Sequence, residues 1–315
     1  MARALQVTRG EGTTLTDIPE SDIGEGPVTI DVEWSSLNYK DALALAGRPG
    51  VIRTDRLIAG IDLVGTVRGT GERVLINGRG LGETHDGGLA EVARVPADWA
   101  LPLPTAFTAR QAAAIGTAGF TAALSALALG NVGAGAGPVL VTGATGGVGS
   151  IAIALLAKAG VEVAAATGKT DHHDYLRDLG ATTIIDRAEL QSPGKPLQSE
   201  RWAGAIDTVG GPILANVLAQ TRYGGTVAAC GMAGSPDVAA SMMPFILRAV
   251  TLAGINSVFT PHETRLAAWR LLERDLDPDL LESITTSIGL QDAVATAERM
   301  LAGETTGRIA VDVRA

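Results

Sequence analysis

One stretch limits the possible folds of this chain more than any other: GPVLVTGATGGVGSIAIALLAKAG, residues 137–160. An apolar β-branched run leads through a knot of glycines into a segment rich in alanine and leucine. Strand, tight turn and helix in that order frame residues 144–149, which approximate the dinucleotide fingerprint G-x-G-x-x-G with Ala144 in the first glycine's place. The turn needs small residues, and a bare Gly146 lets a pyrophosphate approach the backbone. Gly149 lets the helix lie close to the strand. The helix N-terminus offers unpaired N–H groups to negative charge.

The surrounding rhythm supports this reading. From Pro138 onward, short apolar runs (VLVTG, VEVAAAT, TTIID, GAIDTVG, GGTVAACG, VTLAGINSV) alternate with helical segments. That alternation predicts a doubly wound parallel sheet covered on both faces, a Rossmann domain. The first hundred residues read differently. ARALQVTR, VTIDVEWSSL, AGIDLVGTVRG, GERVLING and GGLAEVARVP are β-rich and bounded by turn residues, which predicts an antiparallel, barrel-like unit. After Asn256 come a helical segment and a final strand, GRIAVDVRA, too short to stand alone. We therefore expect an α/β protein in which residues 1–115 with 258–315 form the barrel unit and residues 116–257 the Rossmann domain.

Bulk properties narrow the function. At 315 residues the chain exceeds one ordinary core. A net charge of −9 argues against a nucleic-acid or acidic-membrane binder, so an anionic ligand needs a local basic pocket. The single cysteine, Cys230, rules out an internal disulfide and a cysteine-rich zinc site. The N-terminal MARALQVTRGEGTTLTD has no apolar signal-like core, and we expect a cytoplasmic protein. Residues 111–130 carry no charge and could span a bilayer by length, but they are mostly Ala, Gly and Thr, which reads as a closely packed interior helix.

The second strand of the dinucleotide unit indicates which nucleotide is bound. NAD-binding folds place an acid near its end to hold the ribose 2′-OH. Here the strand ends in AAATGKT, with Thr167 and Lys169 at that place and no carboxylate before Asp171. A hydroxyl, a backbone N–H and an ammonium suit a 2′-phosphate, so NADPH is expected over NADH.

With these features in place, the chain resembles the medium-chain dehydrogenase/reductase superfamily in its zinc-free, quinone-oxidoreductase-like arm. Five stretches are similar to the acrylyl-CoA reductase group: SSLNYKDALAL (residues 35–45), GIDLVGTV (60–67), GLGETHDGGLAE (80–91), IGTAGFTA (115–122) and MPFILR (243–248). The resemblance implies a GroES-like catalytic domain beside the Rossmann domain, and a homodimer. It places Tyr39 near the nicotinamide and Thr145, Gly146, Gly147 and Val148 on the pyrophosphate. Thr167, Gly168, Lys169 and Arg187 would surround the 2′-phosphate. Met232, Ile246 and Ser257 would line the nicotinamide half, and Arg308 matches a C-terminal basic contact. The group more often has Ser-Gly-Arg where this chain has Thr-Gly-Lys. Lysine keeps the charge but loses the bidentate fork, which weakens the expected NADPH preference.

Zinc-dependent relatives carry a histidine where GIDLVG has Asp62, and cysteines at both their metal sites. Neither ligand set is present, and no zinc is expected. Without a Lewis acid, an alkene conjugated to a thioester is an easier hydride acceptor than a ketone. Charge would develop on the thioester oxygen and a proton would reach the α-carbon. Tyr39 is the candidate for orienting the nicotinamide and, less directly, for delivering the proton. Asn38 is either a donor to substrate or the cap of the helix that starts at Tyr39. His85 is either a substrate contact or part of a surface turn. Asp62 reads as closing internal hydrogen bonds, and Cys230 as an inert buried thiol. Arg48, Arg53 and Arg56 form a short basic cluster, by default a solvated surface. The leading expectation is NADPH-dependent reduction of acrylyl-CoA to propionyl-CoA on a small-molecule enoyl-CoA or enone substrate, with no nucleic-acid or membrane partner. A quinone or alkenal reductase is the alternative enzyme, and a cofactor-binding sensor the non-enzymatic one.

Overall fold

The computed structural model describes residues 1–130 and 132–315. They form two compact units: Met1–Ala118 with Ser257–Phe259 and Asp277–Ala315, and Gly119–Asn256 with Thr260–Leu276.

The second unit is built on a six-stranded parallel sheet. Across it run Thr183–Asp186, Val163–Thr167, Val139–Thr142, Trp202–Asp207, Thr221–Ala229 and Thr251–Gly254. Numbered along the chain this order is 3-2-1-4-5-6, that of a doubly wound dinucleotide fold. Val139–Thr142 and Val163–Thr167 are buried at every position, as central strands covered on both faces must be. This is why they read as unbroken apolar runs. The helix Gly147–Lys158 buries Ile151, Ile153, Leu155 and Leu156.

In the first unit a seven-stranded, mainly antiparallel sheet and a three-stranded sheet enclose one core that includes Leu5, Val7, Ile30, Leu63, Ile76 and Val311. The C-terminal strand Arg308–Asp312 pairs antiparallel with Val28–Ser36, Ala310 facing Ser36, so the chain's end does return to this unit.

The structure corrects one boundary. The helix His262–Asp275 groups with the parallel-sheet unit, whereas all of 258–315 is expected with the barrel. Its buried face (Ala268, Trp269, Leu272) finds its apolar complement there, and the buried Arg265 guanidinium lies 4.7 Å from the centroid of the Phe120 ring. The other boundary falls inside the helix Ala109–Ala128, which is broken at Gly116 (φ 48°, ψ −157°). This is the span that is long and apolar enough for a membrane; most of it is buried inside the protein.

Candidate active site

The glycine turn has the geometry that its spacing demands, with one shift. The left-handed residue is Gly143 (φ 59°), one position before the fingerprint's nominal start, and a Cβ there would stand 2.1 Å from Thr208 Oγ1. A Cβ on Gly149 would lie 2.5 Å from the Gly143 carbonyl oxygen, so this glycine allows helix and strand to touch. Gly146 differs. A Cβ there would meet only the Gly143 oxygen, at 3.3 Å, so the bare position leaves room for a ligand rather than for the fold. Thr145 is buried, and Gly147 and Val148 open the helix. Backbone N–H groups at this N-terminus are suited to hold a pyrophosphate.

A second cluster is assembled at the close of the strand Val163–Thr167. Arg187 N–H donates to the Thr167 carbonyl at 2.9 Å, and the Lys169 N–H to Thr167 Oγ1 at 3.0 Å. The Arg187 guanidinium lies against Gly168, where a Cβ would come within 3.0 Å of it. Thr167, Gly168, Lys169 and Arg187 thus meet in one place. Partial burial holds the Lys169 ammonium below its ordinary pKa, opposed by Asp171. The Asp171 carboxylate is itself engaged by His172 at 2.9 Å.

Asp207 and Thr208, outside the expected site residues, stand at the point where the strand order reverses. Thr142 Oγ1 donates to Asp207 Oδ1 at 2.7 Å, Gly210 N–H to Asp207 Oδ2 at 2.7 Å, and Thr208 Oγ1 to the Thr142 carbonyl at 3.0 Å. They lock the two central strands at the mouth of the turn. Burial raises the Asp207 carboxyl above its ordinary range. The one available signal was a strand ending in Asp-Thr-Val-Gly-Gly. Met232 is 69% exposed, its Cα 3.4 Å from where a Gly210 Cβ would stand. Ile246, 72% exposed, lies on the helix Met243–Arg248 beside exposed Met242, Met243 and Leu247. Cys230 donates to the Asp207 carbonyl at 3.4 Å, and burial pushes its thiol up to about 12.

In the first unit Asp62 closes internal hydrogen bonds, as its sequence reading anticipates, and Asn38 converges on it. Asp62 collects five donors: Ser36 Oγ (2.6 Å), Asn38 Nδ2 (2.8 Å), Asn77 Nδ2 (2.7 Å), Thr117 N (2.8 Å) and Thr117 Oγ1 (2.5 Å). Asn38 is held on every side. Its amide nitrogen also reaches Ser36 Oγ and Asp41 Oδ2, its backbone N–H donates to Asp41 Oδ2 at 2.9 Å, and its Oδ1 accepts from Arg308 Nη2 at 3.2 Å. Of the two uses considered for Asn38, the structure shows capping of the helix Tyr39–Leu45. Tyr39, the first residue of that helix, is 44% exposed. Arg308 is buried, and its Nε donates to the Ala114 carbonyl. The residue where the helix breaks must be glycine, since a Cβ on Gly116 would stand 2.6 Å from Asp62 Oδ2. The Ser257 carbonyl lies against Gly78, next to Asn77. Burial, with the like charge of Asp62, pushes the Asp41 carboxyl up to about 7.

The loop of residues 80–91 is structural in large part. A Cβ on Gly88 would lie 2.0 Å from the Asp62 carbonyl, and one on Gly87 2.2 Å from that of Gly60. Both His85 ring nitrogens face carbonyls, of Asp86 and Glu25, at 3.0 Å, and the ring meets Trp99 edge-on.

A zinc ion does not fit these donors. Among the described residues no group of three His, Cys, Asp or Glu side chains is placed to hold a metal, and the Asp62 carboxylate already accepts from five protein donors.

The chain is similar to known proteins over nearly its whole length. The family model for zinc-binding dehydrogenases matches residues 147–274. The acrylyl-CoA reductase AcuI of Ruegeria pomeroyi is 47% identical over 312 residues, covering 96% of this chain and 93% of that protein. The crystal structure of Escherichia coli K-12 YhdH with bound NADPH superposes with a TM-score of 0.96 at 46% identity, covering 98% and 99% of the two chains. Bacillus subtilis YhfP, solved with NAD bound, gives 0.93 at 40% identity, covering 99% of each.

Proposed function

This chain belongs to the medium-chain dehydrogenase/reductase family, in its acrylyl-CoA reductase group, and from that premise we propose that it reduces acrylyl-CoA to propionyl-CoA with NADPH. When bound, NADPH supplies the hydride, delivered to the β-carbon of the conjugated thioester. The residues of this chain bind and orient. Backbone N–H groups from Thr145 to Val148 hold the pyrophosphate, and Thr167, Gly168, Lys169 and Arg187 hold the 2′-phosphate. Tyr39 orients the nicotinamide ring, with its helix fixed through Asn38. Met232, Ile246, Ser257 and Arg308 complete our reading of the cofactor set, Arg308 acting through Asn38 rather than by direct contact.

The observation that carries the substrate class is the saturated Asp62. At the place where zinc-dependent relatives hold a ligand, this carboxylate is consumed by internal donors. We therefore read the reaction as zinc-independent, with an electrophile already activated by its own carbonyl. Negative charge on the thioester oxygen is met by hydrogen-bond donors, and the α-carbon takes its proton from Tyr39 or from water.

We further propose a cytoplasmic homodimer. The strand Thr251–Gly254 is a sheet edge with exposed Leu252, next in sequence to the exposed apolar helix that carries Met243, Ile246 and Leu247. An open edge beside apolar side chains suits self-complementary pairing with a second copy.

Steady-state rates with acrylyl-CoA, a simple enone and a quinone, each with NADPH and NADH, test the assignment. We expect acrylyl-CoA with NADPH to give the highest kcat/KM. A quinone or enone that outperforms it refutes the substrate, and equal efficiency with NADH refutes the 2′-phosphate pocket.

A further inference from the structure

We infer that a groove in the first unit, lined by Arg9, Arg48, Val7, Pro49 and Ile52, is the subsite for the nucleotide end of the CoA ester; this rests on the acrylyl-CoA reading above. The groove has a volume of about 370 Å³ and combines two guanidinium groups with an apolar wall. That pairing suits a phosphorylated adenosine, with phosphate on arginine and the purine face on exposed Pro49 and half-buried Ile52.

Charge singles out this place. In a chain of net charge −9, Arg48, Arg53 and Arg56 are exposed and make no ion pair among the described residues. Arg9 is partly neutralised by Asp55 at 3.2 Å, which leaves Arg48 as the anchor. Arg56 stands directly across from Thr8, another residue of the lining. The rim is glycine: Gly10, Gly12, Gly47 and Gly50 all have positive φ, and a Cβ on any of them would meet nothing within 4 Å. Phosphate oxygens can therefore reach the backbone there.

Arg48 follows the C-terminal end of the Tyr39 helix, where free carbonyls would repel an anion. They are not free. Ala42, Leu43 and Ala44 accept from the N–H groups of Ala46, Arg48 and Gly47, and Leu45 accepts from Thr13 Oγ1 at 2.7 Å. The same short helix sets the spacing. It begins at Tyr39, ends at Leu45 and carries the chain ~10 Å at ~1.5 Å per residue. The pantetheine arm is long enough to join a thioester near Tyr39 to phosphates at Arg48.

The test compares acrylyl-CoA with acrylyl-pantetheine, which lacks the nucleotide, in the wild-type enzyme and in Arg48→Ala and Arg48→Ala/Arg53→Ala. We expect the wild type to reduce acrylyl-pantetheine with a KM raised roughly tenfold or more, the loss of a charged hydrogen-bonded contact. Arg48→Ala should raise KM for acrylyl-CoA by a similar factor, leave kcat near wild type, and leave acrylyl-pantetheine kinetics unchanged. Adenosine 3′,5′-bisphosphate should inhibit the wild type competitively against acrylyl-CoA and inhibit Arg48→Ala less. Equal KM for the two thioesters in the wild type, or an Arg48→Ala variant with unchanged KM for acrylyl-CoA, overturns the subsite and leaves the reductase reading intact. A wild type that reduces neither thioester overturns the reductase reading instead.

Discussion

Asp41 is the residue where local chemistry and position conflict. It caps the segment that presents Tyr39, accepting from Asn38 and from the Ile61 N–H at 2.8 Å, yet it is fully buried near Asp62. Burial and that like charge raise its carboxyl from the ordinary 3.8 to about 7. The consequence for stability has a definite sign. Between those values the folded state holds a proton that the unfolded state has released, so stability falls as pH rises toward 7 and levels off above it. The slope from this one group is at most about 1.4 kcal/mol per pH unit. Denaturant unfolding of Asp41→Asn should lack that fall between pH 5 and 7. Parallel curves for variant and wild type would show that Asp41 does not titrate there. Asn38 teaches a related lesson. Its identity admitted two uses, and only the positions of Asp41, Asp62 and Arg308 show its amide occupied internally.

At the scale of elements, strand, glycine turn and helix were legible because each depends on neighbours in sequence. Strand burial, turn conformation and helix packing all lie within residues 139–158. The register of the turn was less legible. The left-handed position is Gly143, which must also be glycine because the hydroxyl of Thr208, just past the strand Trp202–Asp207 far along the chain, leaves no space for a Cβ. Gly149→Val should force the helix away from the Gly143 carbonyl and Ala144, where a Cβ already comes within 2.5 Å and 2.8 Å. We expect NADPH affinity, read by fluorescence titration, to drop at least tenfold, with about 1–3 kcal/mol lost in stability from overpacking. Gly146→Ala meets no such obstacle within the protein, so it should keep its stability while still losing affinity. Equal affinity in Gly146→Ala and wild type would mean that no ligand approaches that position.

For the whole molecule, the proposed dimer makes a prediction at the strand Thr251–Gly254. Leu252→Lys places a charge on an edge that we expect to pair with its copy, and sedimentation velocity should show a shift from dimer to monomer. A wild type that sediments as a monomer removes the proposal. The sequence alone determined that this chain contains a doubly wound dinucleotide unit and a β-rich partner unit, and that the second strand of the first ends in Thr-Gly-Lys with no carboxylate before Asp171. Periodicity, glycine spacing and charge are local properties, and local interactions enforce them. Only the tertiary structure decided which donors fill Asp62, that Arg308 reaches Asn38 rather than the surface, and that the His262–Asp275 helix leaves the barrel unit. Each depends on donors or apolar faces brought together from distant segments, and a buried carboxylate is satisfied by whatever the fold places around it. No spacing rule in the chain encodes that company.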